Sequence, residues 1–105
     1  MVEPFFVWDE RLGILVPMLE GQWGQLSQQE QSHVLHRWEE IRGAIPDRIK
    51  SIEHVVIEKQ EALFEEEDFE QSCKLNQEIA DLASTIHDLN LWYRTQQELD
   101  AKSHQ

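Results

Sequence analysis

From Asp47 to Gln105 the chain contains neither glycine nor proline, whereas all four glycines and all three prolines lie in residues 1–46. Glycine and proline cost about 1 and about 3 kcal/mol relative to alanine inside a helix. A long stretch free of both, rich in Glu, Gln, Leu, Ile and Lys, is therefore constrained to long helix. The punctuated first part is constrained to shorter pieces.

Within the uninterrupted stretch, Leu75, Ile79, Leu82, Ile86, Leu89, Tyr93 and Gln96 alternate by four and three, and the seam reaches back to Ser72. This heptad spacing keeps one apolar stripe facing a partner helix. From Phe69 to Asp100 such a helix runs roughly 48 Å at 1.5 Å per residue. Upstream, Ile45, Ile49, Ile52, Val56 and Leu63 form a second seam, with Lys59 in one apolar place. The run Glu65-Glu66-Glu67-Asp68 interrupts the pattern, and crowded like charges disfavour a continuous helix there. Asp68-Phe69-Glu70-Gln71 predicts a helix start, with Asp68 as N-cap and Gln71 reaching back to it.

Ahead of these, Ser27-Gln28-Gln29-Glu30 has the S-x-x-E capping form, followed by Val34, Leu35, Trp38 and Ile41 at helical spacing. Gly43 is expected to end this helix with positive φ, and Pro46 to sit in the first turn of the next. In residues 1–26, Phe5 to Trp8 reads as a strand or an extended arm. Trp8, Leu12, Leu15, Val16 and Leu19 fall at helical spacing, so the segment is expected to be an irregular helix with loops. The expected fold is all-α. It is a single domain with an irregular apolar segment over 1–26, a short helix over 27–43, and a long antiparallel, coiled-coil-like hairpin over 46–66 and 69–100. The hairpin is packed with one or two shorter N-terminal helices.

The second long helix outruns the first, which spans roughly 31 Å. About a third of it, with Leu89, Trp92 and Tyr93, needs cover from the 27–42 helix, the N-terminal apolar run or a second copy. A homodimer is the favoured solution at the sequence level, and the three residues are candidate interaction positions.

Charge narrows the function classes. Twenty-one acidic residues against nine Lys and Arg leave a formal net charge of -12. Such a surface repels phosphate backbones and anionic headgroups, so neither direct nucleic-acid binding nor a membrane partner is expected. No apolar stretch approaches the ~20 residues of a spanning helix. The start, Met1-Val2-Glu3-Pro4, lacks the basic region of a secretory leader, and Cys73 is the single cysteine, so a reducing cytoplasm is expected.

Chemistry-bearing motifs are sparse. Glu30, His33 and His36 lie on successive turns of one helix, the E-x-x-H spacing of di-iron bundles. Such sites need a second copy, and the residues three before His54 and His87 are Ser51 and Ser84. A metal site is not expected, and Glu30, His33 and His36 are the candidates such a site would use. No catalytic set and no cofactor-binding motif is present, so the chain is expected to be non-enzymatic. Cys73 reads as a small packing residue. Trp38 is expected in the core, and Trp92 either there or at an interface. The acidic run 65–68 is either a solvated turn or a docking tip facing a basic partner.

The segment from Val56 to Leu82 resembles the UVR motif, on Asp68-Phe69-Glu70, Ser72-Cys73, Lys74, Leu75, Ile79 and Leu82. That motif is a short helical hairpin found in subunits B and C of the bacterial excision-repair nuclease, in some Clp ATPases and in their regulators. The family usually shows Ala-Ala where this chain has Ser72-Cys73 and Leu63-Phe64. The resemblance implies a bacterial docking element without catalytic residues, in which Asp68, Phe69, Glu70 and Lys74 meet a protein partner. The function expected is thus that of an adaptor or regulatory interaction module, its partner not identified by the sequence. The alternatives are a self-associating structural bundle and a small metal-binding bundle.

Overall fold

The computed structural model describes residues 5–19 and 23–103, with side chains up to residue 95. Its elements are β1 (Phe6–Asp9), β2 (Ile14–Pro17), a 3-10 turn (Trp23–Gln25), α1 (Gln28–Gly43), α2 (Ile45–Glu65) and α3 (Phe69–Ser103). The protein is predominantly helical, and the all-α expectation is corrected by a two-stranded antiparallel sheet at the N-terminal side.

Within the described part of residues 1–26 this sheet stands where an irregular helix is expected, and β1 matches the strand alternative for Phe5 to Trp8. β1 pairs with β2 in the register Phe6↔Pro17, Val7↔Val16, Trp8↔Leu15 and Asp9↔Ile14. β-branched and aromatic residues favour the pleated surface, and the turn between the strands prevents a helix. Gly13 adopts φ 73, a left-handed conformation that glycine reaches at little cost. Asp9 closes the turn twice: its Oδ1 accepts from the Leu12 N–H at 2.9 Å and its carbonyl from the Gly13 N–H at 2.7 Å. The apparent helical spacing from Trp8 to Leu19 is thus two short apolar strands read across a turn.

α1 starts on the expected capping box. Ser27 Oγ accepts from the Glu30 N–H at 3.1 Å, and Glu30 Oε1 accepts from the Ser27 N–H at 2.9 Å. Its end differs from expectation. Gly43 has no positive φ and belongs to the last helical turn. Ala44, in the right-handed region at φ -87, is at once the C-cap of α1 and the N-cap of α2. Pro46 follows in the first turn of α2. The two helices share one junction residue, so no left-handed exit is required.

The core lies at the junction of α1, the strands and one end of the α2–α3 pair. The strand region contributes Phe6, Leu12 and Ile14, α1 contributes Val34, Trp38 and Ile41, α2 contributes Ile45 and Ile52, and α3 contributes Leu89. Two arginines tie the strands to the helices. Arg48 Nε donates to the Leu12 carbonyl at 2.9 Å, and Arg11 reaches Asp88 Oδ2 at 2.8 Å and Ser84 Oγ at 2.9 Å.

The apolar end of α3 is covered within the chain. Leu89 is wholly buried. The Trp92 ring meets Trp38 edge-on, with centroids 5.6 Å apart and planes at 69°, a favourable aromatic geometry. Arg42 lies 4.9 Å over the Tyr93 ring, and its Nη1 donates to the Tyr93 carbonyl at 3.0 Å. Trp92 and Tyr93 thus take cover from α1, and Leu89 from the core cluster.

Candidate protein-interaction surface

Beyond the core, α2 and α3 continue side by side as an arm. Among the described residues none between Ile52 and Thr85 is buried, and the seam positions Val56, Leu63, Leu75, Ile79 and Leu82 are only half-buried. From Glu53 to Glu65 the arm extends about 20 Å at the helical rise, in a molecule measuring 59 × 31 × 21 Å. Lys59, the polar member of the α2 seam, meets Glu78 of α3 at 3.4 Å. A cation there keeps the seam in register at the cost of apolar burial.

The turn at the end of the arm is built from its own carboxylates. Asp68 Oδ2 accepts from the Gln71 N–H at 3.0 Å, the expected N-cap. The reciprocal bond differs from expectation: Glu66 Oε1, not Gln71, accepts from the Asp68 N–H, at 3.1 Å. Glu66 does so from the extended residue that ends α2, where its N–H reaches the Leu63 carbonyl at 3.2 Å. The acidic run is thus an ordered turn that satisfies backbone donors left free at a helix start.

Two aromatic rings stand out at this tip. Phe64, in the last turn of α2, is 92% exposed, and Phe69, the first residue of α3, is 79% exposed. Leu63 occupies the seam, so Phe64, one position on, is rotated away from α3. Ile57, 51% exposed, lies two turns behind Phe64 on the same side of α2. Ile57, Gln60, Glu61, Phe64 and Glu65 line one shallow depression. Its spacing of three and four is that of a helix face without a partner.

The positions singled out in the sequence divide into three groups. Asp68, Phe69, Glu70 and Lys74 all lie at the tip and are exposed. Leu89, Trp92 and Tyr93 lie away from the tip, towards the other end of α3; Leu89 is inside the core, and Trp92 and Tyr93 are half-buried against α1. Glu30, His33 and His36 are exposed on α1. Glu30 is engaged in the capping box, His36 Nε2 lies 3.3 Å from Glu40 Oε1, and no group of three metal-ligating side chains forms among the described residues. Cys73 is exposed rather than packed, and Trp38 is buried as expected. Phe64 and Ile57 were not singled out by sequence reasoning. Their signal is an aromatic and a β-branched residue off the heptad seam, each followed directly by a glutamate.

Set against known protein families, characterised proteins and solved structures, the chain shows no match. Among the described residues no helix is long and apolar enough to cross a membrane.

Proposed function

We propose that this protein is a non-enzymatic docking module of the cytoplasm. It uses the tip of its helical hairpin to hold a protein partner, in the manner that the resemblance to the UVR motif implies. One observation carries this reading: Phe64 and Phe69 are the two most exposed large apolar side chains among the described residues, and both lie at the same turn. Fully burying a phenylalanine is worth roughly 1.5–3 kcal/mol, and these rings leave that gain unrealised within the chain. The scaffold does not need them, because the core is assembled at the far end. A rigid base, an arm and an aromatic tip suit an element that reaches into another protein. Coiled-coil-like packing of the arm would hold the two rings in fixed relation.

Parallel affinity purifications with the wild-type chain and with Phe64→Ser/Phe69→Ser test the reading. The expected result is a protein retained by the wild type and lost from the variant, with circular dichroism and thermal midpoint unchanged. The same retained set for both chains overturns it.

A further inference from the structure

The charge around the two phenylalanines states what kind of surface they meet. The ten residues from Glu61 to Glu70 contain six carboxylates and no base, half of the formal net charge of -12. Phe64 and Phe69 project from this segment, and the depression beside Phe64 is walled by Glu61 and Glu65. We propose that the tip is recognised by a basic protein surface, with apolar pockets for the two rings inside a rim of Arg or Lys. This rests on the docking reading and specifies its partner.

Three alternatives fit the same observations less well. A second copy of this chain would bring six carboxylates against six around the rings, and like charges face to face oppose association. A membrane would accept the phenyl rings, but its anionic headgroups repel the ring of carboxylates. A neutral apolar groove would strip water from carboxylates adjoining the rings without giving them partners. A basic rim alone supplies hydrogen-bonding cations to those carboxylates while its pockets take the rings. The carboxylates would also steer approach, which makes association fast and dependent on salt.

Panning a phage-displayed random peptide library on the full chain, with Phe64→Ser/Phe69→Ser as the counter-target, tests this. The enriched peptides are then titrated against wild type, the double Ser variant and Glu65→Gln/Glu66→Gln/Glu67→Gln. Glutamine keeps a side-chain carbonyl, so the bond from Asp68 N–H to position 66 persists in the last variant. The expected peptides combine Arg or Lys with apolar residues. Their affinity should fall about tenfold or more for the Gln variant, and fall again between low and about 0.5 M salt, where screening is nearly complete. Phe-dependent peptides without basic residues, or peptides indifferent to the Gln substitutions, overturn the basic partner and leave the docking reading standing. An absence of Phe-dependent peptides overturns both. Phe-dependent sedimentation of the chain with phosphatidylcholine vesicles overturns the basic partner in favour of a lipid surface.

Discussion

Asp68 shows how a single side chain organises the turn between α2 and α3. Its carboxylate caps α3 through the Gln71 N–H, and its own N–H is held by Glu66. Replacing an Asp N-cap with alanine costs about 1 kcal/mol, whereas asparagine caps as well. Asp68→Ala should therefore lower stability by about 1 kcal/mol in urea unfolding, and Asp68→Asn should be nearly silent. Equal large losses in both would place the carboxylate in some other role. The cap was legible in the sequence because it spans three residues of chain. Its reciprocal partner was not, because Gln71 three residues on and Glu66 two residues back can both reach it, and the extended backbone at Glu66 selects between them.

At the scale of elements, the strand pair shows where local pattern fails. Apolar residues at Trp8, Leu12, Leu15, Val16 and Leu19 suit a helix as spacing, yet Gly13 at φ 73 and the Asp9 bonds turn the chain back. The strands are then pinned on α2, where Arg48 donates to the Leu12 carbonyl. A Cβ at position 13 would lie 2.6 Å from Arg48 Nε. Gly13→Ala thus combines a left-handed penalty of about 1–2 kcal/mol with displacement of that arginine. In an Arg48→Ala background the displacement is already absent, so the two substitutions should be less than additive in a double-mutant cycle of unfolding free energies. Strict additivity would separate the turn from α2. The long helices posed no such problem, since seven heptad positions in α3 repeat one message.

Across the whole molecule, the decisive arrangement is the separation of core and tip. α1 folds back so that Trp38 meets Trp92 and Arg42 covers Tyr93, and Leu89 is buried within the chain. Leu89→Asp should consequently unfold the chain rather than release a folded monomer from a dimer. Leu→Ala in a core already costs about 2–5 kcal/mol, a buried carboxylate adds to it, and domains of this kind hold only about 5–15 kcal/mol in all. Loss of the helical circular dichroism signal, with sedimentation equilibrium of whatever remains folded, checks this. A helical, monomeric Leu89→Asp chain beside a dimeric wild type would return Leu89 to an interface.

What the sequence alone determined is what short stretches of backbone and side chain settle among themselves. The absence of glycine and proline after Pro46, the two heptad seams, the Ser27–Glu30 box and the Asp68 cap each act within a few turns of helix. Only the tertiary structure decided which apolar residues cover one another across long separations. It buried Leu89, set Trp92 on Trp38, and left Phe64 and Phe69 in water, although all five read alike as apolar side chains. The physical reason is that burial belongs to pairs of surfaces. Periodicity states which face of a helix is apolar, and the path of the chain between helices states whether anything is there to meet it.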